Sequence, residues 1–167
     1  SLARRAGASI TVVDCAPSAP IDVEPAMTSE EFKAAFSLGQ ATADAEIDSG
    51  ADLLIPAEVG VGATTVAAAL MGHFTSTEPV AIVGPGSGTT DAMWKTKVTV
   101  IRDAMFRIRN LEGAEVIQAA SSPSFAALVG FICQATARRT PMLIDGPLAA
   151  TAAVLAERSA PGVKGWL

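Results

Sequence analysis

Hydrophobic and polar residues alternate along this chain in two rhythms. Short apolar runs of strand length occupy residues 9–14, 52–58, 79–84 and 141–146, and each is followed by a longer segment of helical character. Strands alternating with helices predict a parallel sheet joined by right-handed crossovers. A helix over residues 29–49 is announced by Thr28-Ser-Glu-Glu31, a capping box in which the Thr28 hydroxyl and the Glu31 carboxylate satisfy orphan amides reciprocally, and Gly50 stands where a C-terminal glycine belongs. A second long predicted helix, residues 91–109, carries Trp94, Val98, Ile101, Met105 and Ile108 at spacings of 4, 3, 4 and 3, a single apolar stripe. Residues 115–120 read as strand or helix, and their good helix formers favour helix. Residues 16–27, with Pro17, Pro20 and Pro25, predict a mobile surface loop.

Composition narrows the class. The 167 residues are half hydrophobic but only 5% aromatic, with no tyrosine, so the core must be built from Ala, Val, Leu and Ile at close helix–sheet contacts. That suits one α/β domain spanning residues 1–167. A net charge of −5 provides no basic face for a polyphosphate backbone, which argues against nucleic acid as a partner. Cys15 and Cys133 lie far apart without metal-ligand spacing and read as reduced structural thiols; no metal site is expected. The apolar segment 125–133 falls far short of the ~20 residues that cross a bilayer, no signal peptide is visible, and the expected location is cytoplasmic. Residues 1–5 resemble the tail of a helix already under way, and the sequence stops just after a predicted helix, which suggests part of something longer.

In an open parallel sheet, ligands gather beyond the carboxyl ends of the strands. Three predicted strands end there in acid or glycine: Glu58 with Gly60 and Gly62, then Gly84, Gly86 and Gly88, then Asp145-Gly146. Each is also ordinary turn chemistry. The segment Glu58-Val-Gly-Val-Gly-Ala-Thr-Thr65 reads as a strand end, a glycine turn and a helix start, where glycines allow close approach and unpaired amides can hold an anion. It lacks both the lysine of a P-loop and the third glycine of the dinucleotide fingerprint. Thr64 and Thr65 could cap the helix or add hydroxyls to a phosphate site. Lys97 lies about 60° from the centre of the apolar stripe, at its border, whereas Lys95 lies about 100° away; Lys97 is a solvated surface lysine or one that reaches a buried anion. His73, the only histidine, and Arg138-Arg139 read as helix-end charges.

On these residues the chain resembles the nicotinate-nucleotide:dimethylbenzimidazole phosphoribosyltransferase family of cobalamin lower-ligand assembly. The resemblance rests on residues 58–70, on Val83-Gly-Pro-Gly-Ser-Gly88 with Lys97, on Arg138-Arg-Thr-Pro-Met-Leu-Ile-Asp-Gly146, and on residues 1–14. It implies a Rossmann-like three-layer fold with a mainly parallel sheet, a homodimer, and no cofactor. The implied reaction moves ribose 5-phosphate from nicotinate mononucleotide to a benzimidazole-type base, giving α-ribazole phosphate and nicotinate. By the family pattern Gly60, Gly62, Thr64, Thr65 and Lys97 hold the 5′-phosphate, Glu58 lines the nucleotide site as an electrostatic catalytic group, and Asp145 and Gly146 shape the pocket floor; Gly84, Gly86 and Gly88 complete the expected substrate site. The family's general base, a glutamate in a glycine-rich segment, has no counterpart in residues 1–167, so activity of this chain alone is not expected. Ala63 stands where the family usually has asparagine, Thr89-Thr90 in a stretch often acidic, and Ser121-Ser122 where paired glycines are common. The alternative is a non-catalytic nucleotide- or phosphate-binding domain derived from the same fold.

Overall fold

The computed structural model describes residues 2–84 and 88–167. Its elements, in chain order, are α1 (Leu2–Arg5), α2 (Ser29–Asp48), α3 (Ala63–Thr75), α4 (Pro79–Ile82), α5 (Asp91–Ile108), α6 (Gly113–Ala120), α7 (Pro123–Ala137), α8 (Gly146–Ser159) and a closing 3₁₀ turn (Val163–Trp166). The helices are made as their sequences predict. Glu31 N–H donates to Thr28 Oγ1 at 3.2 Å and Thr28 N–H to Glu31 Oε2 at 2.7 Å, so the capping box closes. On α5, Ile101 and Ile108 are fully buried, and Trp94, Val98 and Met105 pack against the core. Residues 113–120 settle as helix α6.

The expected α/β fold with a mainly parallel sheet is not what forms: no β-strand occurs among the described residues, and the architecture is helical. The nearest thing to a sheet is one isolated parallel bridge between Leu54 and Met142. Leu54 N–H donates to Pro141 O at 3.1 Å and Leu143 N–H to Leu54 O at 2.9 Å. Extending that ladder would require an N–H from Pro56 on one side and from Pro141 on the other, and proline has none. Residues 79–84 begin instead as helix α4, with Pro79 at the first helical position, where its fixed φ is an advantage. Residues 9–14 carry no regular structure, and Ile10 and Val12 are exposed, because apolar alternation makes a strand only where a neighbour supplies a ladder.

The strongest helix contact is between α2 and α7, and it depends on glycine. A Cβ added at Gly39 would run into the Ala127 carbonyl, and one added at Gly130 into the Phe36 carbonyl, so the two backbones touch where these residues face each other. Beyond the crossing, Arg138 reaches back to Asp44 and Asp48, each at 2.6 Å, and Gln134 Nε2 donates to Asp44 at 2.9 Å. Hydrogen bonding from Gln134, then from Arg138, holds the Asp44 carboxyl below its usual pKa. The core elsewhere is mainly aliphatic around Phe125, with Leu70, Ile101, Val116, Val129, Ile132 and Leu155 among its buried members.

The proline-rich segment 16–27 is not a mobile loop. Ile21, Ala26 and Met27 are buried, Ala26 N–H donates to Ala119 O at 3.1 Å, and Arg107 Nη1 donates to the carbonyls of Ile21 and Glu24 at 2.6 and 3.0 Å. Prolines lower the entropy lost in fixing such a segment, so a proline-rich connection can be an ordered one.

Candidate functional site

The chain leaves the Leu54 bridge and turns at Glu58. The Glu58 carboxylate folds over its own turn, Oε1 accepting from Gly60 N–H at 2.6 Å. Gly62 then takes φ 85°, a left-handed conformation that a side chain would resist, and serves as N-cap of α3 without a side-chain cap. Thr65 N–H bonds the Gly62 carbonyl at 2.8 Å, whereas the Gly62 and Thr64 amides have no backbone acceptor among the described residues. The start of α3 thus presents free donors and the positive end of the helix dipole.

Lys97, from the first half of α5, meets that helix start. Its Nζ donates to Thr64 Oγ1 at 2.7 Å, and burial lowers the pKa of its ammonium. Lys95 by contrast is exposed, in keeping with the positions of the two lysines around the α5 stripe. Lys97, Thr64 and Gly84 open on a largely apolar cavity of about 320 Å³, walled by Met71 of α3, Val83, and Leu148 and Thr151 of α8. A partly desolvated ammonium beside free amides, over an apolar chamber, is suited to an anionic group attached to a flat apolar one.

The other sequence-predicted residues divide. Gly60, Gly62, Thr64 and Thr65 share one turn with Glu58, and Lys97 joins them. Gly84 lines the cavity, Gly88 sits beyond it at φ 92°, and Gly86 lies outside the described residues. Asp145 is the N-cap of α8 but makes no capping hydrogen bond and is exposed; Gly146 follows at φ 77°, and it is their neighbours Pro147 and Leu148 that form the cavity wall.

Three features escaped sequence reasoning. Cys15 is close enough to Glu58 that the carboxylate, after burial, raises the thiol pKa. Ser124, at the start of α7, approaches the glycine turn: its Oγ would lie 3.9 Å from a Cβ built on Gly60 and lies 2.9 Å from Ser122 Oγ. Thr151 also joins the cavity, five residues past Gly146 on the helix that glycine starts. Only the Thr151 spacing was visible in sequence, since the other two are tertiary encounters.

Elsewhere, Cys133 is free, and burial pushes its thiol up to about 11. A larger cleft, about 900 Å³, lies at the far ends of α3, α5 and α8, lined by His73, Arg109 and Arg158. Its size does not make it the better site. Arg109 donates to the Phe106 carbonyl at 2.6 Å and Arg158 stacks on Phe74, so these cations serve helix C-termini, and burial lowers the His73 pKa. Among the described residues no helix is long and apolar enough to cross a membrane.

The family described as phosphoribosyltransferase (DBI_PRT) matches residues 1–167. A nicotinate-nucleotide–dimethylbenzimidazole phosphoribosyltransferase of Corynebacterium efficiens is 48% identical over 180 residues, covering 99% of this chain and 49% of the relative. One of Mycobacterium ulcerans is 42% identical, covering 99% of this chain and 52% of the relative. A crystal structure of CobT from Thermus thermophilus superposes with a TM-score of 0.85 at 28% identity, covering 96% of this chain and 51% of that one. The chain therefore spans about half the length of the curated relatives it matches.

Proposed function

This chain belongs to the DBI_PRT phosphoribosyltransferase family, and we propose that it binds nicotinate mononucleotide for transfer of the ribose 5-phosphate to a benzimidazole-type base. The products are nicotinate and α-ribazole phosphate. The chain acts as one nucleotide-binding domain of a cytoplasmic homodimeric enzyme. The observation that carries this reading is Lys97 Nζ held 2.7 Å from Thr64 Oγ1 at the open start of α3. An ammonium, a hydroxyl and unpaired amides converge there as a 5′-phosphate requires, with Gly60, Gly62 and Thr65 shaping the same turn.

The rest of the geometry fits the reaction. Breaking the bond between the anomeric carbon and the nicotinate nitrogen leaves positive charge on the ribose ring, and Glu58, at the other end of the turn from Thr64, supplies a fixed negative charge there. Its carboxylate is already held by the Gly60 amide, so its role is electrostatic rather than that of a proton acceptor. Nicotinate departs from a cationic ring nitrogen and needs no acid. The incoming base loses its ring N–H proton as the new carbon–nitrogen bond forms, and its acceptor would be the family's general-base glutamate, which has no counterpart in residues 1–167. Phosphate contacts fix the ribose between the two rings, which is where the positional advantage arises. The cavity bounded by Met71, Val83 and Leu148 is chemically suited to an aromatic ring, and Asp145, Gly146, Gly84 and Gly88 shape its approach.

The experiment is a calorimetric titration of nicotinate mononucleotide into the chain and its Lys97→Ala variant, with nicotinate release after addition of dimethylbenzimidazole followed in the full-length protein that also carries the family's glycine-flanked glutamate. The variant should bind about 1 to 3 kcal/mol more weakly, the range for a lost charge-assisted hydrogen bond. Unchanged affinity would remove Lys97 from the site, and no nicotinate release by the folded full-length protein would sink the assigned reaction.

A further inference from the structure

The start of α7 carries two hydroxyls whose hydrogen bonds do not close. Ser122 is the N-cap of α7, and its Oγ accepts from Phe125 N–H at 3.2 Å. Ser122 Oγ and Ser124 Oγ lie 2.9 Å apart, so one donates to the other. Two hydroxyls bring two protons, and the bond between them uses one. The second proton has no acceptor among the described residues, although both side chains are half-buried. Either hydroxyl can donate in that bond; where Ser122 donates, the chain runs Phe125 N–H to Ser122 and Ser122 O–H to Ser124, and the Ser124 proton is left for a further acceptor. Each donor in such a chain polarises the next, and the positive end of a 15-residue helix adds to the effect.

The glycine turn lies beside Ser124 Oγ. Ser124 Oγ would lie 3.9 Å from a Cβ on Gly60, the residue whose amide holds the Glu58 carboxylate. Ser124 therefore borders the Glu58 end of the turn, while Thr64 and Lys97 occupy the other end. A ligand whose phosphate sits at Thr64 and Lys97 extends its sugar toward Glu58, so an oxygen near Ser124 belongs to the sugar and not to the phosphate. Gly60 has no side chain to stand between the hydroxyl and that oxygen.

We propose that Ser124, aligned by Ser122, donates a hydrogen bond to a ribose hydroxyl of the bound mononucleotide and so fixes the rotation of the sugar about its phosphate. The inference rests on the function proposed above, and its test is arranged so that the two can fail separately. The full chain and its Ser124→Ala and Ser124→Thr variants are titrated with ribose 5-phosphate and with inorganic phosphate. Ser124→Ala should weaken ribose 5-phosphate several-fold to about tenfold, as for a neutral hydrogen bond lost at a partly buried site, and leave inorganic phosphate unchanged. Ser124→Thr, which keeps the hydroxyl, should restore most of the loss. Lys97→Ala should weaken both ligands. If the parent chain binds ribose 5-phosphate and Ser124→Ala binds it equally well, or weakens both ligands alike, the Ser124 assignment is overturned while the phosphate site stands. If the folded parent binds neither ligand, the site itself is refuted, and the Ser124 assignment with it.

Discussion

Replacing Gly39 by alanine tests the packing argument most directly, because two effects of known size oppose each other. In an isolated helix the change would favour α2 by about 1 kcal/mol, since alanine is the better helix former. At the α2–α7 crossing the new methyl would meet the Ala127 carbonyl and would lie 2.8 Å from Phe131 N, both backbone atoms that no rotamer change can move. The helices must separate, and the close approach of Gly39 to Ala127 and of Gly130 to Phe36 is lost. Overpacking of this kind costs about 1 to 3 kcal/mol, and a backbone obstacle places it toward the top of that range. The net expectation is a loss of about 2 kcal/mol, read as a lower urea midpoint by far-ultraviolet circular dichroism with little change in slope. Lys33→Ala, on the exposed side of the same helix, should stay within about 0.5 kcal/mol. A Gly39→Ala variant as stable as the parent, or more so, would show that propensity outweighs the crossing and that the close approach of α2 and α7 is not required.

Two more perturbations address the clamp and the clasped loop. Asp44 has its pKa lowered by Gln134 and Arg138, so the unfolded chain binds its proton more readily. The stability it confers is fully present above the ordinary aspartate value of 3.8 and is lost as the pH falls through the lower folded value. Asp44→Asn should flatten that part of the acid unfolding curve, and an unchanged slope below pH 4 would exclude Asp44 as its source. Arg107→Ala should cost about 1.5 kcal/mol, at the low end for hydrogen bonds from a charged donor, and expose residues 20–25 to limited proteolysis. A cleavage pattern identical to the parent's would mean that the Ile21 and Glu24 carbonyls do not depend on Arg107.

Helices were legible in the sequence because their signals are local. The capping box at Thr28 and Glu31 and the stripe from Trp94 to Ile108 need only residues within a few turns of one another, and both form as written. Strands were not legible, because an apolar run specifies a strand only together with a partner. Residues 52–58 and 141–146 do meet, in parallel as expected, yet Pro56 and Pro141 withhold the amides that would have turned one bridge into a ladder. Those prolines were visible from the start, and their consequence appears only once the register of the pair is known. The proline-rich segment 16–27 was misread for a related reason: its order comes from Arg107, eighty-six residues beyond Ile21.

The candidate site divides along the same line. The glycine turn and Lys97 could be picked out because a helix start and a helix face are local objects, and their meeting at 2.7 Å follows from the packing of α3 against α5. Ser124 and Cys15 could not, because nothing near them in sequence announces that the start of α7 and the end of residues 9–14 lie beside Glu58. Burial lowers the pKa of Lys97, so its ammonium is partly desolvated, with the neutral Thr64 hydroxyl as its hydrogen-bond partner. An arriving phosphate removes that penalty, whereas a neutral ligand of the same shape does not. Under the proposed function, the position of Lys97 at the margin of the α5 stripe would therefore favour an anionic ligand over a neutral one. Moving the charge one helical face away, to where Lys95 now stands, would return it to solvent and abolish the preference without altering the core.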